Sequence, residues 1–223
     1  MQHSLFGAMA VAEPPVKEPD RDALSVPLEE AIFTVMDLET TGLNPKKNAI
    51  TEICAIKYQN GVELEKLVTF VKPNEEIPPE IQDITGITDE MVQNAPPLVM
   101  ALSDLGNFVG PNPLVVGHNI GFDIGFIREK LYEAGLASFM TRFEMPDAFC
   151  TKVLARKVLP SLPSYEAIVV ATQFGIQNPQ AHRAEHDVKM TGATLFKLFE
   201  QANANGAGLK TLGDLYDYQT RLQ

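Results

Sequence analysis

Residues 31–43 read Ala31-Ile32-Phe33-Thr34-Val35-Met36-Asp37-Leu38-Glu39-Thr40-Thr41-Gly42-Leu43. The first six are apolar or β-forming and too few for a helix, so a buried strand is expected. Side chains alternate along a strand, which puts Asp37 and Glu39 on one face. They fall where the chain leaves the sheet and turns through Thr40, Thr41 and Gly42. Two carboxylates converging there repel each other unless a cation lies between them. An isolated Asp-x-Glu is more often a pair of solvated acids, so the rest of the chain has to decide.

Working outward, residues 49–59 and 62–72 read as two further strands separated by Asn60-Gly61. That dipeptide accepts the positive φ angles of a two-residue hairpin turn, so the strands should be antiparallel neighbours. Residues 78–86 read as a short helix and turn, 98–109 as an amphipathic helix and 114–117 as a short buried strand. Residues 122–134 have helical spacing, with Phe122, Phe126, Ile127 and Leu131 on one side. A helix over 164–174 is expected to start on Ser164 as cap, after Pro163. A long helix over 185–202 carries Val188, Leu195, Leu198 and Phe199. Three early strands, a helix, a fourth strand and further helices make a mixed-sheet α/β domain over residues 31–205. Pro14, Pro15, Pro19 and Pro27 among many charges mark residues 1–30 as a flexible tail and linker. Residues 206–223 read as a helical tail without chemistry of their own.

Composition narrows the function classes. The 223 residues carry 18 basic and 29 acidic side chains, a formal net charge of −11. Such a chain does not hold nucleic acid by broad phosphate neutralisation. It can grip a strand end through bound cations, or be delivered to its substrate by a partner. No apolar run approaches the roughly 20 residues that span a bilayer. The apolar stretch over residues 5–12 is short and follows no Lys or Arg, so a secretory leader is not expected. The two cysteines, Cys54 and Cys150, have no zinc-ligand spacing and make no disulfide framework. A reducing cytoplasm is the expected location.

Two more polar clusters follow apolar segments. His118-Asn119-Ile120-Gly121-Phe122-Asp123 comes directly after the short strand, with Asp123 in the first turn of the next helix. An acid there favours the helix dipole, and strand ends are where α/β folds build their sites. His182-Arg183-Ala184-Glu185-His186-Asp187 opens the long helix. A helix beginning near Ala184 fixes Asp187 on its first turn and leaves His182 on the loop before it. A free imidazole titrates near pH ~6.5, which suits a general base.

Together the three motifs resemble the DEDD exonuclease superfamily in its histidine-containing branch, over about residues 31–200. Thr40-Thr41-Gly42-Leu43 and Ile84-Thr85-Gly86-Ile87-Thr88 belong to the same resemblance. DnaQ-like proofreading subunits, such as the epsilon subunit of bacterial DNA polymerase III, are the nearest in look. Tyrosine-type members carry a Tyr four residues before the last Asp; that position is Arg183 here, and His182 stands five before Asp187.

The resemblance implies an RNase H-like mixed sheet flanked by helices, and 3′→5′ hydrolysis of terminal phosphodiester bonds. It implies that Asp37, Glu39, Asp123 and Asp187 hold two Mg²⁺ or Mn²⁺ ions, with His182 taking the proton of the attacking water. All-oxygen ligands suit these hard ions and argue against zinc. By the same resemblance Thr40, Leu43, His118, Asn119 and Phe122 line the terminal nucleotide's pocket, Leu43 as a wedge against the last base. Glu185 stands where the family more often has an apolar residue, and His186 where it often has a second acid. Asp147 reads as a helix cap. The chain start Gln2-His3-Ser4-Leu5-Phe6 resembles the clamp-binding peptide of bacterial replication proteins. Leu5 and Phe6 would fill an apolar pocket while Gln2 supplies hydrogen bonds. A DNA 3′ end, a replicative polymerase and a sliding clamp are therefore the expected partners. RNA trimming by the same active site stays open, because selection against a 2′-hydroxyl depends on pocket shape. A non-catalytic binding module with this fold also stays open; its mark would be loss of a carboxylate or of His182.

Overall fold

The computed structural model describes residues 24–144 and 148–220. Its centre is β1 (Ile32–Thr40), the strand expected from the opening stretch. On one side β1 pairs antiparallel with β2 (Ile50–Gln59), placing Asp37 opposite Cys54 and Glu39 opposite Glu52. β2 pairs antiparallel with β3 (Val62–Phe70) across the expected hairpin, where Asn60 and Gly61 have φ of 48° and 79°. On the other side β4 (Leu114–Gly117) runs parallel to β1, and the two-residue β5 (Phe149–Cys150) parallel to β4. The five strands lie in the order β3-β2-β1-β4-β5, a mixed sheet as expected.

Strand alternation splits the core into two layers. Phe33, Val35, Cys54, Ile56 and Tyr58 face one side. There they pack under α7 (Ala184–Ala204), with α5 (Thr151–Val158) and α6 (Ala167–Thr172) beside it. Met36, Leu38, Ile53 and Ala55 face the other side, covered by α3 (Leu98–Val109) and α4 (Gly121–Glu133). Asp37 and Glu39 continue the Phe33–Val35 row, so they emerge on the α7 side. Two short helices, α1 (Pro79–Thr85) and α2 (Asp89–Val92), close a small cluster of Ile77, Ile87 and Val92.

Several expectations are corrected. The helix expected over 164–174 forms only at Ala167–Thr172, with extended Glu166 before it. Ser164 accepts a bond from the Glu166 N–H at 3.3 Å but does not cap the helix. The carbonyl of Tyr165 accepts a bond from the His118 ring, which keeps this segment outside the helix. α2, α5, β5 and a 3₁₀ turn at Ala137–Arg142 are additional to the expected elements.

Both expected domain boundaries fall inside packed structure. Leu28 N donates to Lys210 O and Leu212 N to Val26 O, so residues 26–28 pair with 210–212. Leu209, Leu212 and Leu215 enter the core, the last two on α8 (Leu212–Thr220). The Gln219 side chain bonds the Cys150 N–H and the Ala148 carbonyl, each at 2.9 Å, satisfying the outer edge of β5. Cys54 and Cys150 are both free. Among the described residues no helix is long and apolar enough to cross a membrane.

The helix that carries Asp187 approaches the sheet closely because Gly192 has no side chain. A Cβ there would lie 2.8 Å and 2.9 Å from atoms of the buried Tyr58 ring. Gly192→Val is expected to destabilise the domain by about 1–3 kcal/mol through overpacking. Thermal denaturation should show a Tm lower by about 2–4 °C per kcal/mol at this chain length. An unchanged Tm would mean that helix and sheet can separate freely at this point.

Candidate active site

β1 delivers Asp37 and Glu39 at its end, where the β1–β2 register shifts between Glu39 and Thr40. Asp187 comes from the first turn of α7. Carboxylate oxygens of Asp37, Glu39 and Asp187 lie within 4.8 Å of one another. Asp123, on the first turn of α4 and 3% exposed, reaches the same strand end from the far side. Its Oδ1 accepts the Leu38 N–H at 3.1 Å, between the two β1 acids in sequence.

Burial and mutual repulsion shift these groups in one direction. Desolvation raises Asp37 well above the carboxylate range, and the charges of Asp123, Glu39, Asp187 and Glu52 add to it. Glu39, 8% exposed, is pushed up to about 8 by burial, then by Asp187, Glu52 and Asp123, with Arg183 opposing. Burial raises Asp123 to about 7 against its bond from Leu38. Asp187 is raised by burial and pulled back by its donors: His182 N at 2.8 Å on Oδ2 and Asn178 Nδ2 at 2.6 Å on Oδ1.

Asp123 and Asp187 therefore have fixed N–H donors. No hydrogen-bond donor reaches the Asp37 or Glu39 carboxylate among the described residues. A cluster of oxygens, half of it without donors, fits a hard divalent cation better than any side chain present. The Arg183 guanidinium, whose charge is felt at Glu39, is spent on Glu52.

The loops around this cluster differ in rigidity. His182 has a positive φ of 63° and is exposed, with its backbone held by Asp187 and its ring at the surface. His118 is fixed: Nε2 donates to Tyr165 O, which leaves Nδ1 to accept from the Thr151 hydroxyl, both at 2.9 Å. Burial lowers its pKa. Asn119 is exposed at φ 67°, and its carbonyl accepts the Phe122 N–H. Phe122 is half-buried against Phe126, with ring centroids 4.9 Å apart.

Leu43 stands 84% exposed on a braced turn. Thr40 Oγ1 donates to Gly42 O, Thr41 Oγ1 bonds Glu75, and Asn48 Oδ1 lies under Gly42 and accepts Asn44 N–H. A depression of about 390 Å³ bordered by Ile168, Thr172 and Ile176 shares Asn178 with the carboxylates.

Glu185 is tied to Lys66 and Lys189 at 2.8 Å and 2.7 Å. The bonds from Lys189 and Lys66 hold it near 2, so it belongs to the helix surface and not to the carboxylate cluster. His186 gives its backbone N–H to Arg183 O. Gln2, Leu5, Phe6 and Asp147 lie outside the described residues. Sequence reasoning missed Asn178 and Glu52. Asn178 sits in a polar loop without any periodic signal; Glu52 is an acid inside the apolar run Ile50–Gln59, and that misfit was the available clue.

Comparison with known proteins agrees with this geometry. Residues 34–195 match the RNase_T family, described as an exonuclease. The chain is 37% identical over 199 residues to a longer Mycobacterium tuberculosis protein named for exonuclease and endonuclease activities, covering 86% of this chain and 30% of that one. It is 33% identical over 172 residues to the 3′-5′ exonuclease DinG of Bacillus subtilis, covering 76% of this chain and 18% of that one. The DNA polymerase III subunit epsilon of Aquifex aeolicus is 35% identical over 176 residues, with 78% and 83% covered. The chain thus spans under a third of the first two relatives and most of the third. E. coli Exonuclease I in complex with a dT13 oligonucleotide shares the fold, with a TM-score of 0.69 at 20% identity over 79% of this chain and 43% of that one. The family match begins inside β1 and ends inside α7, the two elements that bring Asp37, Glu39 and Asp187 together, and the chain belongs to this DnaQ-like exonuclease family.

Proposed function

We propose that the chain is a 3′→5′ exonuclease acting on DNA ends and proofreading for a replicative polymerase. The observation that carries this reading is the convergence of Asp37, Glu39 and Asp187 within 4.8 Å, with exposed His182 on the loop beside them. The relative named DinG supports the polarity, and the epsilon relative supports the polymerase partner. Gln2, Leu5 and Phe6 support a clamp tether by sequence alone, which would raise local concentration without phosphate grip.

Asp37, Glu39, Asp123 and Asp187 are the residues that would hold two Mg²⁺ or Mn²⁺ ions. Two bound ions supply the charge that activates a water and stabilises the leaving 3′ oxygen. The protein supplies the rest. On this reading the His182 ring takes the proton of the attacking water; the exposed residue and its backbone N–H bond to Asp187 support that role. Leu43 offers an exposed apolar side chain on a rigid turn; stacking it on the terminal base recovers up to about 1.5–3 kcal/mol of hydration cost. On the same reading Phe122 and Asn119 contact the terminal nucleotide, and His118, bonded at both ring nitrogens, holds the segment that carries them. Thr40 is a further contact on this reading, its hydroxyl oriented by donating to Gly42 O. A cytoplasmic location suits the two free thiols.

Digestion of 5′-labelled single-stranded DNA and matched RNA in Mg²⁺ or Mn²⁺ tests the reading. The expected result is a stepwise ladder on DNA that EDTA or the D37A/E39A double variant abolishes. His182→Ala should lower kcat on the order of 10²–10⁴-fold with little change in KM. A preference for RNA would reassign the substrate to RNA 3′ ends. Absence of metal-dependent cleavage of either would leave a binding module.

The crowded carboxylates also set a pH dependence. Glu39 and Asp123 titrate near 8 and 7 in the fold, above their ordinary values near 4. Without cations, the stability they contribute is complete below pH ~4 and is lost as pH rises through about 7–8. Glu39→Gln should therefore melt at nearly the wild-type temperature at pH 5 and about 2–8 °C higher at pH 8 in EDTA, for about 1–2 kcal/mol. Mn²⁺ should raise the wild-type Tm at pH 8 and raise the variant's much less. A variant that melts no higher than wild type at pH 8 would show that the repulsion is relieved some other way.

A further inference from the structure

We infer that Glu52, through its ion pair with Arg183, is a positioning residue that holds His182 and Asp187 in place against Asp37 and Glu39. Glu52 lies on β2 directly across from Glu39, and its side chain is 3% exposed. It is a fifth acid beside a cluster already crowded with carboxylates, and burying it is costly unless it is paired. Glu52 is not one of the three acids whose oxygens converge. Its own oxygens point to the start of α7 instead.

Each of those oxygens is occupied. Oε1 accepts from Arg183 Nη2 at 3.0 Å; Oε2 accepts from Arg183 Nε at 3.3 Å and from the Ala184 N–H at 3.1 Å. The Ala184 N–H is among the first amides of α7, which have no partner within the helix. Arg183 is the extended residue before the helix and provides no side-chain cap of its own. The cap therefore comes from a neighbouring strand, 132 residues away in sequence. The Arg183 guanidinium also sits over the Phe70 ring of β3, 5.6 Å from its centroid.

What is pinned here is next to the chemistry. His182 precedes Arg183 in the chain and adopts its positive φ immediately before the anchored residue. The Arg183 carbonyl receives the N–H groups of His186 and Asp187, at 2.8 Å and 3.1 Å. A glutamate is required because three N–H donors converge on it. A glutamine would turn its own NH₂ toward one of them and lose that bond. Lysine in place of Arg183 would keep the charge but not the two-pronged geometry.

The kinetic consequence rests on the exonuclease reading; the anchoring does not. The full-length protein and its E52Q, R183A and R183K variants should be compared in three measurements. Steady-state cleavage of a labelled oligonucleotide should show kcat lower by tenfold or more in E52Q and R183A, with KM within twofold and R183K intermediate. Calorimetric Mn²⁺ affinity should fall by a similar factor in E52Q and R183A, because both release the start of α7 that carries Asp187. Hydrogen exchange should be at least tenfold faster over residues 182–187 in E52Q and unchanged in β1. A tenfold loss of Mn²⁺ affinity in E52Q with none in R183A would make Glu52 a cation ligand and overturn the inference. Unchanged kcat with a lowered Tm would reduce Glu52 to an ordinary cap and also overturn it. If wild-type protein cleaves neither DNA nor RNA, the exonuclease reading falls, and exchange over 182–187 alone decides whether Glu52 anchors this loop.

Discussion

Repulsion between buried carboxylates is the constraint around which this domain is organised. Unit charges a few ångströms apart in a medium of low effective dielectric interact by several kcal/mol, far more than in water. Here Asp37, Glu39, Asp123, Asp187 and Glu52 gather at one end of a strand pair; the charges of Asp123, Glu39, Asp187 and Glu52 raise Asp37, and those of Asp187, Glu52 and Asp123 raise Glu39. A fold that left these acids free to move would relax by turning them into solvent. This one prevents that by fixing them with main-chain donors: Leu38 N–H for Asp123, His182 N–H for Asp187 and Ala184 N–H for Glu52. Among the described residues, Asp37 and Glu39 have no such donor and are held by the strand. That asymmetry sorts the acids into those the protein satisfies itself and those left for a cation.

Topology explains why the acids can be held so tightly. β1 has neighbours on both sides, antiparallel β2 and parallel β4, so its end cannot fray as an edge strand would. The parallel neighbour also forces the chain to leave β4 in the same direction as β1. That places the N-terminus of α4, and with it Asp123, beside Leu38. α7 lies across β1 and β2 with Val188 and Leu195 in the core, so Asp187 cannot move without disturbing that packing. Against this frame the exposed parts include the His182 ring and the Leu43 side chain. Both are surface groups on a fixed backbone, which suits side chains that must meet a substrate and release it.

Much of this was legible in the sequence because the signals were local. Period-2 alternation put Asp37 and Glu39 on one face; the Asn60-Gly61 turn fixed the hairpin; helix starts located Asp123 and Asp187. Non-local relations left no such trace. Residues 26–28 pair with 210–212 across almost the whole chain, and in the sequence their Pro-rich surroundings look like linker. β5 has two residues, too short for any periodicity, and is completed by a single Gln219 side chain from α8. The Ser164 cap failed for a related reason. Capping rules weigh a residue's own neighbours, whereas the Tyr165 carbonyl is claimed by His118, 47 positions earlier. Glu52 shows the opposite lesson. An acid within a buried apolar strand is a local anomaly, and the cost of desolvating its charge alone requires a cationic or N–H partner somewhere in the fold.

The net charge of −11 bears on how such a site could meet DNA at all. Affinity for a polyanion normally comes from Lys and Arg releasing counterions. Near this site the arginine best placed for that task, Arg183, is committed to Glu52, and Lys66 and Lys189 are committed to Glu185. Those three positive side chains thus balance the protein's own acids, whereas the exposed Lys46 and Lys47 on the turn beside Leu43 have no ion pair among the described residues. On the DNA reading, cations at Asp37 and Glu39 supply attraction for a strand end at the carboxylates themselves. Of the five clustered acids, those are also the two without hydrogen-bond donors among the described residues. Cation and substrate binding are then coupled by charge: the same repulsion that makes the empty cluster costly makes the site unreceptive to phosphate until the cations have bound.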